Sequence, residues 1–402
     1  MMLKFYFCCL LSSILKGVAQ ETHSKNTPEF NKLVDRKSVI EFFNNVTFST
    51  FTKNKDAVAN KFVCLNPTAK FYGGWGNVVF YAFTLMEIGI GLDRIPVMNH
   101  ALMTTLFQHP DDRQVWALLS FADIDRLKNE IEGIPRCNGI NERTVESFPP
   151  KFGLHGCPGN YNNNHAILGR VKSLLSGSFP IYADLDSWGV NVLLMQWVFS
   201  KPSLPWLSAV NSYRKTVFGD ENMVADLAIQ IRTWRDLGEA KTFEGSNGPC
   251  ILFCTTKALD VLSKFIKREF RIFVTADDAA VAQKFIELLQ QWGVDNSKPV
   301  HVYVPGPEQS NWHTVDLTNQ GRYSLDISQV EHNVPLLDWM ILSEAHHSVY
   351  TLNSGFSSWA RMRGGFQNQS CDVVAGNNEE NKCVCVPVLP DHCESYLQSL
   401  HY

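Results

Sequence analysis

The sequence predicts an α/β protein of two domains, the second a Rossmann-like parallel sheet flanked by helices. Three observations carry this expectation. The chain has 402 residues, more than one hydrophobic core usually spans. From about residue 223 onward, short apolar strand-like runs alternate with longer helix-like runs, the pattern of successive βα units. Small-residue and glycine turns stand where one kind of run gives way to the other.

Taken in order, the chain begins with MMLKFYFCCLLSSILKGVAQ, in which Lys4 precedes an apolar run from Phe5 to Leu15, with Gly17 and Ala19 after it. That is the layout of a cleavable signal peptide over residues 1–19. The run is shorter than the ~20 residues that cross a bilayer, so membrane attachment is expected only if the leader is retained as an anchor. A polar lead-in, 20–32, is followed by a strand around Phe62-Val63. The turn FYGGWGN then feeds the apolar helix VVFYAFTLMEIGIGL, the opening of a βα unit. Spacing of Trp116, Leu118, Leu119, Phe121 and Ile124 suits an amphipathic helix over 111–127. The stretch 134–164, with its prolines, glycines and asparagine run, reads as loop.

A boundary is expected near 219–224, dividing an N-terminal α/β domain, 20–222, from a C-terminal domain, 223–402. Beyond it the predicted order is strand LAIQIR, helix 250–269, strand RIFVTA, helix 279–292, strand VHVYV, helix 336–345, strand SVYTL, and a helix starting near Phe356. Right-handed crossovers between such strands build a parallel sheet, and ligands in these sheets sit at the strands' carboxyl ends.

Composition narrows the partners. The hydrophobic fraction is 45% and the charged fraction 19%, ordinary for a globular protein. A net charge of −4 lacks the basic surface that neutralises many phosphates, which argues against nucleic acid. Eleven cysteines are present, and nine remain after the leader. In an oxidising lumen most should pair, with one left over. The cluster Cys371, Cys383, Cys385 and Cys393 is expected to staple the C-terminal tail. Zinc held by Cys383, Cys385, His392 and Cys393 is the alternative, although the spacing is not a C-x2-C pair. Two glycosylation sequons, Asn45-Val46-Thr47 and Asn368-Gln369-Ser370, fit a luminal, glycosylated chain.

Three segments could carry chemistry. Arg232 ends the strand LAIQIR, with Arg235 and Asp236 in the turn after it. A guanidinium there can fork onto a phosphate and stabilise charge on a departing diphosphate. It can equally pair with a neighbouring carboxylate. Asp277 and Asp278 end RIFVTA, where they can accept from a ribose or a guanine edge, or else cap the helix that follows. In TLNSGFSSWARMRGG, the turn Asn353-Ser354-Gly355 precedes a helix, so hydroxyls and backbone N–H groups of Ser354, Gly355, Phe356 and Ser357 can converge on an anion. The bland reading there is a Ser cap and a Gly turn. His346 and His347 are consecutive and point apart, which suits packing rather than a metal.

In this order the three segments resemble the C-terminal motifs of the fucosyltransferase superfamily that includes alpha-1,2-, alpha-1,6- and protein O-fucosyltransferases. Gln230-Ile231-Arg232 is similar to the Q-x-R of plant xyloglucan enzymes, although Thr233-Trp234-Arg235 departs from the compact H-x-R-x-G-D pattern. Asp338, Leu342-Ser343, Asn353 to Ser357 and Trp359-Ala360 resemble the animal and bacterial alpha-1,2 enzymes. Upstream, Gly73-Gly74-Trp75-Gly76-Asn77 resembles their G-G-x-G-N turn.

The resemblance, spanning roughly Phe71 to Gly365, implies a GT-B fold of two Rossmann-like domains facing across a cleft. It also implies GDP-fucose as donor, a glycan or glycoprotein as acceptor, and inverting displacement with no metal or other cofactor. By the same resemblance Arg232 holds the β-phosphate, Asp277 or Asp278 meets the nucleoside, and Ser354 to Ser357 meet the diphosphate. Gln230, Arg235, Asp236 and Asn353 belong to the same donor site, and Gly73, Gly74 and Asn77 shape the sugar site. Inversion needs a general base, for which Asn77, Asp93, His100, Asp184 and Asp186 are candidates. The expected compartment is the Golgi lumen, with secretion as the alternative.

Two rival readings stand beside this one. FPIYADLDSW sets Asp184 and Asp186 as a D-x-D after an expected strand, the metal site of a GT-A transferase. The altered first motif also suits a secreted, inactive, glycan-binding relative.

Overall fold

The computed structural model describes residues 36–54, 62–64, 75–91, 95–97, 101–108, 161–183, 187–233, 242–305 except 265, 334–364 except 353, 372–377 and 383–387, together with 93, 110 and 185. They divide into two compact units. The first runs to Ser203, and the second runs from Leu204 and also takes in Trp75 and Gly76.

In the first unit, α1 (Arg36–Asn54), β1 (Phe62–Cys64), α2 (Trp75–Gly91), β2 (Ile95–Val97), α3 (Ala101–Leu106), α4 (Tyr161–Ser178) and α5 (Ser187–Val198) follow in turn. Strands β1 and β2 pair in parallel, Phe62 opposite Ile95 and Cys64 opposite Val97, with α2 as the connection between them. The βα opening expected from FYGGWGN is therefore present. Helix α1 buries Val39, Phe43, Thr47 and Thr50 on one face. Phe43 packs on Trp197 of α5 at 5.2 Å between ring centroids, and the Trp197 indole N–H donates to Asn44 Oδ1 at 2.8 Å. The outer stripe of α1, Glu41, Asn45 and Ser49, is exposed at four-residue spacing. The helix expected over 111–127 lies outside the described residues, as does most of 134–164, whose end forms the first turn of α4.

The second unit contains α6 (Leu204–Phe218), β3 (Leu227–Ile231), α7 (Gly248–Leu262), β4 (Phe270–Ala276), α8 (Ala279–Asp295), β5 (Val300–Tyr303), α9 (Val334–Glu344), β6 (His347–Thr351), α10 (Gly355–Gly364), β7 (Asp372–Asn377) and β8 (Cys383–Pro387). Every expected strand and helix of this region is there. The α/β class and the Rossmann-like parallel sheet are what the structure shows. The sheet order is β5-β4-β3-β6-β7-β8, parallel except for the antiparallel pair β7 and β8. All five residues of β3 are buried, as a central strand covered on both faces requires. From β3 the chain steps outward to β4 and β5, then returns to place β6 on the other side of β3. The order reverses between β3 and β6, the switch point at which such sheets open a crevice for ligands.

Strands β7 and β8 lie in the tail. Two disulfides, Cys250–Cys383 and Cys254–Cys385, fasten β8 to α7. Cys250 and Cys254 share one helix face at i and i+4, and Cys383 and Cys385 share one strand face at i and i+2, so two consecutive bridges align. The tail cysteines thus staple the tail to a helix more than 130 residues away in sequence. This overturns the zinc alternative, because Cys383 and Cys385 are consumed as disulfides.

Buried polar groups tie the layers together. Asp226, just before β3, accepts from Arg268 and Arg271, with its oxygens 2.6–2.9 Å from their terminal nitrogens. Burial raises its pKa, but these bonds and the Arg271 backbone N–H outweigh burial and hold it down at about 2. Arg361 of α10 is buried against Asp372 of β7 and donates to the carbonyls of Leu342 and Ala345.

Asp338 of α9 differs in having two neutral donors, the Tyr213 hydroxyl at 2.6 Å and the Thr275 hydroxyl at 2.5 Å. Burial pushes it up to about 7, against the pull of those two hydrogen bonds. Since the folded pKa lies above the unfolded one, its contribution to stability is full below the unfolded pKa and is lost as pH rises towards 7. The expected result is a urea midpoint that falls between about pH 4 and about pH 7 in the wild type, and falls less in Asp338→Asn. Equal pH slopes in the two proteins would refute this account of Asp338.

Candidate functional site

The carboxyl ends of β3 and β6 meet at the switch point, and two of the three sequence-predicted segments arrive there. Arg232 follows β3 directly, and its backbone N–H donates to the Thr351 hydroxyl at 2.8 Å. The Thr351 hydroxyl donates in turn to the Gln230 carbonyl at 3.1 Å. One threonine side chain thereby fixes the exit of β3 against the exit of β6. The sequence motifs did not single out Thr351, whose one signal is a hydroxyl placed at the end of a strand.

After β6 the chain turns sharply, with the Ser354 N–H donating to the Thr351 carbonyl at 3.1 Å, and α10 begins at Gly355. The first intrahelical N–H bond made here is that of Ser358 to the Ser354 carbonyl. The amides of Gly355, Phe356 and Ser357 precede it, and they form the positive end of the helix. The serine hydroxyls face inward. Ser357 is buried and donates to Gln230 Oε1 at 2.6 Å, and its oxygen lies 3.0 Å from Ser354 Oγ, also buried. The hydroxyls therefore brace the turn, while the backbone amides are what this turn can offer an anion.

Gly76, in the first turn of α2, packs directly on that same turn. A Cβ added there would stand 3.0 Å from the Phe356 nitrogen and 3.1 Å from the Gly355 carbonyl carbon. A Cβ there would be tighter than nearly all real Cβ contacts, and the Gly355–Phe356 backbone would have to give by a few tenths of an ångström to admit it. Its neighbour Trp75 is buried edge-on to Trp339 of α9 at 5.5 Å, and Trp339 also lies under the Arg363 guanidinium at 5.8 Å. Gly76→Val is accordingly expected to displace the Gly355–Phe356 backbone and destabilise the fold by about 1–3 kcal/mol. Urea unfolding reads the loss, and an unchanged midpoint would contradict the contact.

The third segment arrives at the end of β4, beside β3. Asp277 Oδ2 forms an ion pair with Arg232 Nη1 at 2.9 Å, and Oδ1 accepts from the Thr233 N–H at 2.7 Å. Asp278 caps α8, its Oδ1 accepting from the N–H groups of Ala280 at 2.9 Å and Val281 at 3.2 Å. Gln230, Arg232, Asp277, Ser354, Gly355, Phe356 and Ser357 are thus gathered at the carboxyl edge of one sheet.

Gly73, Gly74, Arg235, Asp236, Asn353, His100, Asp184 and Asp186 lie outside the described residues. Asn77 stands in the first turn of α2, and the Asp93 carboxylate accepts from Thr50 at 3.0 Å. The strand expected before Asp184 is a 3-10 turn, Pro180–Tyr182, opened by a proline whose fixed φ suits a turn. The D-x-D reading therefore loses the strand end on which it relied. Glu87 of α2, which the sequence did not single out, is buried, and burial pushes it up to about 8. Burial also pushes His347 down to about 4, a neutral imidazole at the start of β6, as the packing reading of the His pair expects. Among the described residues, no group of three or more His, Cys, Asp and Glu side chains could hold a metal ion.

Neither a protein-family profile nor a curated protein matches the chain. Solved structures do. A point mutant of Arabidopsis thaliana FUT1 in complex with GDP is similar at 12% identity and TM-score 0.48, over 92% of this chain and 85% of that one. NodZ alpha-1,6-fucosyltransferase is similar at 13% identity and TM-score 0.38, over 81% of this chain, both soaked with GDP-fucose, covering 99% of that chain, and co-crystallised with GDP, covering 98%.

Proposed function

We propose that this protein is a GT-B glycosyltransferase that moves fucose from GDP-fucose to a glycan hydroxyl, in alpha-1,2 linkage, by metal-independent inverting displacement. The observation that carries the reading is the switch point between β3 and β6, where Arg232 and the amino end of α10 stand at one sheet edge. A cation that can fork onto phosphate, beside a helix terminus that favours anions, suits a diphosphate leaving group. Fucose and guanine enter through the likeness of Gln230-Ile231-Arg232 and of the segment from Asp338 to Ala360 to the fucosyltransferase motifs.

In this mechanism the acceptor hydroxyl passes its proton to a general base as its oxygen attacks the anomeric carbon and the bond to the β-phosphate oxygen breaks. Arg232 and the amides of Gly355 to Ser357 stabilise the charge that grows on GDP, which is where donors aimed at developing charge lower a barrier most. The deciding measurement is release of GDP from GDP-fucose with a panel of glycan acceptors in the presence of EDTA. Turnover under EDTA supports the reading. Loss of turnover in EDTA, restored by a divalent cation, would favour the D-x-D alternative, and GDP binding with no turnover on any acceptor would favour a glycan-binding protein.

The two disulfides, the sequence of the leader and the exposed Asn45 support passage through an oxidising lumen, with the Golgi as the proposed site of action. Made in a secretory host, the protein is expected to carry a glycan on Asn45, read as an enzymatic Asn45→Asp conversion by mass spectrometry. A bare Asn45 in protein whose bridges have formed would count against that route.

A further inference from the structure

The sequence offered Asp277 and Asp278 to a nucleoside, yet in the fold both carboxylates are engaged by this chain's own groups. Asp278 is committed to the first turn of α8. Asp277 spans the gap between β4 and β3. Its own N–H donates to the Ile231 carbonyl at 3.3 Å, one oxygen takes the Thr233 N–H, and the other faces Arg232 Nη1. The Asp277 side chain is 7% exposed and that of Arg232 19%, so the pair sits at the floor of the sheet edge rather than out in solvent.

We propose that Asp277 is a positioning residue for Arg232 and not a ligand of the nucleoside. The inference rests on the donor-site reading above and assigns a role within it. A guanidinium carries five N–H donors, so a contact at one terminal nitrogen does not use up its capacity for phosphate. Arginine has a long side chain with many rotamers, and a contact that holds it in one of them removes an ordering cost from ligand binding. Asp277 holds both ends of the relevant stretch, the side chain of Arg232 and the backbone of Thr233, so the arginine and the chain beyond it share one orientation. Beneath it, Thr275 of the same strand is fixed by Asp338, which anchors the end of β4 to α9. The opposing effect is charge, since a carboxylate near a diphosphate repels it. If orientation dominates, removing the carboxylate weakens phosphate recognition, and if repulsion dominates, removal strengthens it.

Three probes separate the roles: guanosine, pyrophosphate and GDP, titrated by calorimetry into wild type, Asp277→Asn, Asp277→Glu, Arg232→Ala and the double variant Asp277→Asn with Arg232→Ala. The expected result is that Asp277→Asn binds GDP and pyrophosphate roughly tenfold more weakly, while guanosine binding stays at the wild-type value, which also reports an intact fold. Asp277→Glu recovers part of the loss. The double variant is no weaker than Arg232→Ala alone, because Asp277 acts through that arginine. In turnover, kcat falls together with phosphate affinity. Guanosine binding that falls in parallel with GDP binding overturns the proposal in favour of a nucleoside contact, as does tighter GDP binding by Asp277→Asn or additive losses in the double variant. A wild type that binds none of the three probes refutes the donor-site reading itself, a result distinct from all of these.

Discussion

Arg232→Ala is expected to lower GDP-fucose turnover by about 10²–10³-fold, the range seen when one group aimed at developing charge is removed from a site that excludes water. The loss should fall mainly on kcat, because the interaction strengthens as negative charge accumulates on the leaving diphosphate. Stability should fall as well, because the nearly buried Asp277 carboxylate loses the guanidinium that faces one of its oxygens, although the backbone N–H that binds Thr351 remains. Arg232→Lys should recover only part of the rate, since an ammonium cannot present the planar fork that reaches two phosphate oxygens. Steady-state kinetics of both variants, with a thermal or urea melt beside them, form the check. Unchanged turnover in Arg232→Ala would remove Arg232 from the mechanism and take the leading support from the proposed function.

The largest effect on stability is expected from the paired disulfides. Each bridge spans more than 130 residues, and the chain-entropy relation gives about 5 kcal/mol for closing a loop of that size once. The second bridge closes only the short ring between two nearby pairs, for which the same relation gives about 2 kcal/mol. Replacing Cys250 and Cys383 by Ser, or Cys254 and Cys385 by Ser, should therefore cost about 2 kcal/mol, because the remaining bridge keeps the long loop closed. Replacing all four should cost about 7 kcal/mol, comparable to the whole stability of a typical domain. Urea unfolding of the two single-bridge variants and of the bridge-free variant tests this, and a bridge-free loss equal to the sum of the two single losses would contradict it. The same experiment reports on the edge of the sheet, since β8 is held between β7 and these bridges.

Much of the second unit was legible because its elements are dictated locally. LAIQIR, RIFVTA and SVYTL are short, apolar and rich in β-branched residues, and each is followed by a run with helical spacing, so type and order follow from pattern alone. The tail was not legible in this way. DVVAGN and CVCVP are brief, and their strand character depends on a neighbour, β6 for the first and β7 for the second. In FPIYADLDSW the sequence suggested a strand, and the proline took the chain into a 3-10 turn instead.

The three segments at the carboxyl ends, with which the functional reading began, divide in the same way. By itself the sequence determined which residue types stand at those ends: a guanidinium after β3, two carboxylates after β4, and small hydroxyl residues with a glycine where α10 starts. Those identities follow from local pattern, because a strand's length fixes which residue comes last. Only the tertiary structure decided what each side chain does there. Whether Arg232 faces Asp277, whether Ser357 turns outward or towards Gln230, and whether Gly76 reaches the Phe356 backbone all depend on contacts between residues 44 to 280 positions apart. The energies separating such choices are those of single hydrogen bonds or ion pairs, and no local pattern encodes them. They are settled when the sheet order brings β4 and β6 to either side of β3.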